Sequence, residues 1–273
     1  MFATVSVHST MGKGAARRWR ALWLAWVVVA WAALPSLAQQ LIWLGTLGGD
    51  ESLANAVSAD GSVVVGWARN AAGQQRAFRW TAARGMQDLG TLGGSGSVAY
   101  GVSADGSVVV GGARNAAGKD RAFRWTAVGG MRDLGTLGGW ESEASGVSAD
   151  GSVVVGEAWN AAGQRRAFRW TAARGMQDLG TLDGDWSAAT GVSADGSVVV
   201  GYNAAGRPRA FRWTAAGGME DLNITYAHLL TDGSELLEAN AISPDGRYIV
   251  GRGYNAATGR IEAFLLDTRR TWR

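Results

Sequence analysis

The chain of 273 residues has no cysteine, so no disulfide or thiolate metal site can brace it. Its stability has to come from a packed core and ladders of strands. Histidine is almost as scarce. There are 2, His8 and His228, and the first falls in a leader segment. With His228 alone left, a histidine-based metal cluster and a Ser-His-Asp triad are both nearly excluded. Proline numbers only 3, which excludes a proline-rich disordered chain. Long hydrophobic runs are missing except for one, residues 21–34.

That run follows Lys13, Arg17, Arg18 and Arg20 with no acid, and precedes Pro35-Ser36-Leu37-Ala38. A basic start, a short apolar stretch and a small-residue cleavage site read as a secretory signal peptide over residues 1–38. The mature domain is then 39–273, without a membrane span and without a cysteine for lipid attachment. The full chain carries 26 Lys+Arg against 23 Asp+Glu. Removing the leader's 4 bases leaves 22 against 23, a net charge of −1 instead of +3. A nucleic-acid partner loses its electrostatic support. The expected location is the periplasm or the extracellular space.

What the sequence has in abundance is glycine, 41 residues, and repetition. Leu-Gly-Thr-Leu begins at Leu44, Leu89, Leu134 and Leu179, a period of 45. Ser-Ala-Asp-Gly begins at Ser58, Ser103, Ser148 and Ser193, and returns as Ser243-Pro244-Asp245-Gly246. Ala-Phe-Arg-Trp begins at Ala77, Ala122, Ala167 and Ala210, and returns as Ala-Phe-Leu-Leu at Ala263. A fixed period of this size marks a repeat architecture.

Each of the five units breaks into four strand-like pieces, in the first unit 54–58, 62–66, 76–81 and 86–92. Asp60-Gly61 reads as a tight hairpin turn. The triple valine of the second piece suits a strand buried on both faces. Four strands per unit predict an all-β, five-bladed β-propeller of four-stranded blades. Residues 40–47 match a fourth strand with nothing before it, while the last unit (239–243, 247–251, 261–267) lacks one. The N-terminal strand is therefore expected to complete the last blade and close the ring, which hides two edges. An open β-repeat array is the alternative.

A hairpin centred between Ala83 and Arg84 places Arg79 opposite Asp88. The same pairing recurs as Arg124 with Asp133, Arg169 with Asp178 and Arg212 with Asp221, and becomes Leu265 with Trp43 in the composite blade. Phe78 and Trp80, and their counterparts Phe123, Trp125, Phe168, Trp170, Phe211 and Trp213, share a strand face and read as core between blades. Met86, Met131, Met176 and Met219 fill the same core.

The combination of Ala-Phe-Arg-Trp, Gly-Met-x-Asp-Leu-Gly-Thr-Leu-Gly-Gly and Val-Ser-Ala-Asp-Gly-Ser-Val-Val-Val-Gly resembles the HAF repeat of bacterial extracellular proteins. The resemblance covers residues 41–267. Arg76, Arg121, Arg166 and Arg209, then Glu262, stand where the family has His, so any role of that His does not carry over. The resemblance implies export and a repeat fold. It implies no defined activity.

The units differ most between the fourth strand of one and the first strand of the next. These connections share one face of a propeller, the usual place for function on a repeat scaffold. They carry Trp140, Glu141 and Glu143 in one unit, and Asp183, Asp185 and Trp186 in the next. Tryptophan beside carboxylates suits a sugar or a peptide. Two carboxylates fall short of a calcium site, so no metal and no cofactor is expected. The innermost strands, read from Asn55, Tyr100, Ser145, Thr190 and Asn240, show no carboxylate pair for glycoside hydrolysis. The reading is a secreted, monomeric, non-catalytic repeat protein that presents its variable face to a protein or glycan. An inert passenger or spacer of an autotransporter-type protein is the first alternative, and a carbohydrate-active enzyme the second.

Overall fold

A computed structural model describes residues 39, 41–184 and 186–269; the signal-peptide reading of 1–38 lies outside them. The chain divides into two compact units, Met1–Ile42 and Trp43–Arg273. The second is all-β apart from a one-turn helix, α1 (Leu222–Thr225), and a 3-10 turn at Ala227–Leu229.

The first repeat forms an antiparallel sheet in the order β1 (Gly48–Val57), β2 (Val63–Asn70), β3 (Gln75–Thr81), β4 (Gly85–Asp88). The second repeats it with β5 (Gly93–Val102), β6 (Val108–Asn115), β7 (Asp120–Thr126) and β8 (Gly130–Asp133). The third has β9 (Gly138–Val147), β10 (Val153–Asn160), β11 (Arg165–Thr171) and β12 (Gly175–Asp178). The fourth has β13 (Trp186–Val192), β14 (Val198–Ala205), β15 (Arg207–Thr214) and β16 (Gly218–Asp221), joined to the third by one parallel pairing of Arg165 with Trp186. The fifth has three strands, β17 (Glu235–Ile242), β18 (Tyr248–Asn255) and β19 (Arg260–Asp267).

Successive sheets pack face to face. Val63, Val65, Ala77 and Leu89 of the first sheet bury against Ala99, Val109, Ala113 and Phe123 of the second, with Trp125 and Met131 at the margin. The pattern recurs at the next three interfaces, around Phe168, Phe211 and Ile249. Alternate valines of each second strand thus serve the interfaces on its two sides, which is why the triple valine is apolar throughout. Phe78, Phe123, Phe168 and Phe211 are fully buried, while Trp80, Trp125, Trp170 and Trp213 are half-buried beside them.

The Ser-Ala-Asp-Gly turns form a second ladder along one face, here called lower. Ala59 N–H donates to Ala104 O at 3.0 Å, Ala104 to Ala149 and Ala149 to Ala194 at 3.0 Å, and Ala194 to Pro244 O at 2.9 Å. The turn is wider than a two-residue hairpin: Ser58 N–H donates to Val63 O, and Gly61 N–H to Ser58 O.

The expected Arg–Asp cross-strand pairs are not formed. The β3–β4 hairpin is centred on Ala83 itself, with Thr81 opposite Gly85. That one-residue slip puts Asp88 opposite Phe78 and Arg79 opposite Gln87. Likewise Arg124 faces Arg132, Arg169 faces Gln177 and Arg212 faces Glu220, while Asp133, Asp178 and Asp221 face Phe123, Phe168 and Phe211. The acids meet the arginine that precedes each Ala-Phe instead, as Arg121–Asp133 at 3.5 Å, Arg166–Asp178 at 3.9 Å and Arg209–Asp221 at 2.8 Å. Arg79, Arg124 and Arg169 reach into the next sheet and donate to Gly106 O, Gly151 O and Gly196 O.

Among the described residues no strand pairs with the free edge of β19. Residues 41–46 lie in no sheet, and Leu47 bridges in parallel to Asn70 of the sheet it leads into, as Leu92 does to Asn115 and Leu137 to Asn160. Trp43 is 86% exposed and Leu265 68%, so the apolar pair expected between them is not made.

Candidate functional site

The face opposite the turn ladder, here called upper, carries the β2–β3 hairpins and the start of each first strand. The segments expected as variable loops are in fact the openings of β1, β5 and β9, where the ladder shifts register between Gly48 and Ser52 and between Gly93 and Ser97. Their side chains stand opposite the end of the neighbouring second strand. Five equivalent cross-strand pairs result: Leu53 with Trp67, Val98 with Gly112, Glu143 with Glu157, Ala188 with Tyr202 and Glu238 with Arg252. No two are alike, whereas the lower face repeats almost without change.

The third and fourth sheets place four aromatic residues of this face in contact with one another or with one arginine. Trp140 stacks on Trp159 at 4.8 Å between ring centroids with an interplanar angle of 24°. The Arg165 guanidinium lies 5.7 Å from the Trp159 ring centre and 5.5 Å from that of Trp186. Trp186 meets Tyr202 edge-on at 5.1 Å. Arg165 also pairs with Glu157 at 3.3 Å. The order Trp140, Trp159, Arg165, Trp186, Tyr202 is therefore continuous, held by stacking and cation–π attraction. Arg121 fixes its outer end by donating to Trp140 O.

A cavity of about 140 Å³ opens beside this stack, walled by Asp120, Glu141, Glu143, Glu157, Trp159 and Arg165. A second, of about 400 Å³, adjoins it and shares Asp120 and Glu143, with Tyr100 and Gly112 on its wall. Gly112 lies against Glu143 there, and a Cβ on it would stand 3.4 Å from Glu143 Cγ, in ordinary contact. Burial pushes the Glu157 carboxyl above the ordinary range, and the charge of Glu143 adds to this, against the opposing pull of Arg165. Burial likewise raises the Tyr100 phenol, with the charge and hydrogen bond of Glu143 next in weight.

Of the residues singled out in the sequence, Trp140, Glu141, Glu143 and Trp186 contribute to this region. Asp183 is engaged elsewhere, by Asn203 Nδ2 at 3.0 Å and by Arg209. Asp185 lies outside the described residues. Glu143 belongs to a first strand and faces Glu157 of the neighbouring second strand, a cross-strand carboxylate pair that the reading of the first strands alone does not find. Glu157, Trp159, Arg165, Tyr202 and Tyr100 were not read as site residues. The signal was available as column-by-column divergence: Trp159 stands where the first two units have Arg69 and Arg114, and Glu157 where they have Trp67 and Gly112. Among the described residues no group of three His, Cys, Asp or Glu side chains is placed to hold a metal.

No family model and no curated protein matches the chain. Solved structures do. TolB from Acinetobacter baumannii aligns with a TM-score of 0.54 and 16% identity over 80% of this chain and 52% of its own, so the chain spans about half of that protein. A structure described as TolB from Agrobacterium tumefaciens aligns with a TM-score of 0.53 and 17% identity over 80% of this chain and 78% of its own. The β-propeller domain of the trilobed protease from Pyrococcus furiosus, described as having an open velcro topology, aligns with a TM-score of 0.50 and 10% identity over 81% of this chain and 71% of its own. At these identities the likeness is one of fold, and the fold is all-β with the four-stranded sheets of β-propeller proteins. No helix among the described residues is long and apolar enough to cross a membrane.

Proposed function

We propose that this chain is an exported, non-catalytic β-propeller module of five blades that binds a protein or glycan partner on its upper face. The observation that carries the reading is the confinement of difference. Nearly invariant units build the lower face and the interfaces, while the upper face gathers Trp140, Trp159, Arg165 and Trp186 beside two cavities. A repeat scaffold under no demand to recognise anything has no reason to concentrate its large aromatics this way. Aromatic faces flanked by carboxylates and an arginine recognise sugar rings or peptide side chains. The HAF-like repeat pattern and the leader support export.

The finer fold belongs to the same reading. The fifth sheet lacks one strand, and Trp43–Leu47 carries the sequence of a fourth strand. We assign that segment to the free edge of β19, which completes the fifth blade.

The test is a screen of the chain against arrayed glycans and arrayed peptides, repeated with Trp159→Ala. Removal of the central ring is expected to weaken any hit about tenfold or more, the cost of an aromatic hot spot. Absence of any hit, or hits indifferent to Trp159, supports the spacer alternative instead. The facing of Glu143 and Glu157, with one carboxyl raised by burial, favours a glycosidase as the second reading. Turnover of chromogenic glycosides that is lost in Glu157→Gln would establish it.

A further inference from the structure

The lower face carries arginines that stand in pairs without an acid. Arg79, Arg124 and Arg169 are half-buried, and each donates from Nε to the turn of the next sheet, at Gly106 O, Gly151 O and Gly196 O. A second, exposed arginine accompanies each of them. Burial, and then the charge of Arg84, lowers the pKa of Arg79, and Arg174 acts on Arg169 in the same way. Arg132 lies directly across the strand pair from Arg124. Like charges so placed destabilise a sheet. Among the described residues none of these six arginines forms an ion pair.

The second guanidinium is reached by two routes. The first and third units supply it from the β3–β4 and β11–β12 turns, as Arg84 and Arg174, and have Gln87 and Gln177 on the fourth strand. The second unit has Gly129 in the turn and Arg132 on the strand. A Cβ on Gly129 would lie 3.2 Å from Arg132 Nε, so Arg132 fills the place from which the turn arginine of the other two units departs. Drift that loses one arginine has no reason to gain another beside it. The fourth unit changes both positions the other way, to Gly217 and Glu220, and Glu220 neutralises Arg212 at 3.2 Å. The fifth has Leu265 in place of the half-buried arginine. The unpaired cations thus belong to three consecutive sheets.

Grooves run beside the pairs. One of about 640 Å³ is walled by Arg124, Arg169, Arg174 and the half-buried Trp170. Its counterpart one sheet on, of about 650 Å³, is walled by Arg169, Arg174 and the half-buried Trp213. The carboxylates that also line these grooves are already engaged, Asp150 and Asp195 by serines of their own turns and Asp178 by Arg166. We propose that the three arginine pairs are successive subsites for one acidic polysaccharide, whose carboxylate or sulfate oxygens take the guanidinium donors while its rings lie on the tryptophans. A planar guanidinium matches an oxyanion in bidentate fashion, and an aromatic face adds a preference for a sugar ring over charge alone. Packed sheets stand on the order of 10 Å apart, so a polymer with regularly spaced acids meets the pairs in turn, and three weak contacts combine as avidity. The net charge of −1 over residues 39–273 gives a nucleic acid no such general attraction. This site lies on the face opposite the aromatic stack and does not depend on it.

The test is calorimetric titration of the full chain with polygalacturonate and with heparin, beside dextran as a neutral glycan and single-stranded oligo-dT as a sugar-poor polyanion. Binding of an acidic polysaccharide that weakens with salt is expected, with none of dextran. Arg84→Gln, Arg132→Gln and Arg174→Gln change exposed side chains, so the melting temperature should hold while each weakens binding about threefold and all three together about thirtyfold. Gly217→Arg with Glu220→Gln rebuilds the pair in the fourth sheet and should tighten binding about threefold, a gain that a purely structural role of these arginines would not produce. Trp159→Ala should leave this binding unchanged, which separates it from the upper face. The proposal is overturned if neither acidic polysaccharide binds, or if the triple variant binds as tightly as the unmodified chain. Equal binding of dextran or of oligo-dT also overturns it, since the surface then selects no acidic sugar. So does a rebuilt fourth pair that adds nothing, since the subsites are then not in series.

Discussion

At the scale of single residues, the repeated motifs are explained by what surrounds them. Asp60 is held by Ser58 Oγ at 2.7 Å, by Ser62 N–H at 3.0 Å and by Ser62 Oγ at 2.8 Å. These hydrogen bonds lower its carboxyl from 3.8 to about 2, and Asp105, Asp150 and Asp195 are lowered to about 2 by the same serines of their own units. A depressed folded pKa contributes stability above the ordinary value, and that contribution is lost as pH falls through the folded one. The melting temperature is therefore expected to drop as pH falls from about 4 towards 2. Replacing the four aspartates by Asn should flatten that drop, as thermal melts across the range would show. The glycine closing Val-Val-Val-Gly has an equally local cause. A Cβ on Gly156 would lie 2.0 Å from Glu143 O and 2.9 Å from Ala144 Cα, so the first strand crosses this position too closely for any side chain.

At the scale of elements, the second and third strands were legible because their valines and aromatics alternate around a buried pair of faces. The first strand was read too short, from Ala54, although it starts at Gly48. Its opening is glycine-rich, charged and bulged, which hides the period-two signal. The fourth strand was read too long, to Leu92. It stops at Asp88 because Gly90, at φ 81°, turns the chain out of the ladder. The Arg–Asp pairing failed for a related reason, since composition shows that Arg and Asp covary but a hairpin's centre can move by one residue without disturbing that pattern. A double-mutant cycle checks the corrected pairing. Arg121→Ala with Asp133→Ala should show a coupling of about 0.2–1 kcal/mol, as befits a partly exposed pair, and Arg124→Ala with Asp133→Ala should show none. The aromatic stack was half legible. Trp140 and Trp186 stand out in the sequence, but Trp159 and Arg165 sit inside strands, and their approach to both rings depends on how the third and fourth sheets pack.

At the scale of the whole molecule, the turn ladder has a direction. Each unit donates to the next, and the series ends at Pro244, which accepts from Ala194 and has no N–H of its own. The equivalence of the four internal interfaces has a further consequence, for inheritance. A coding sequence built from near-copies of one segment invites unequal crossing-over, and here a gained or lost unit meets neighbours it already fits. Such a gene can vary the length of its product without first breaking it, while each new copy starts with an upper edge free to diverge.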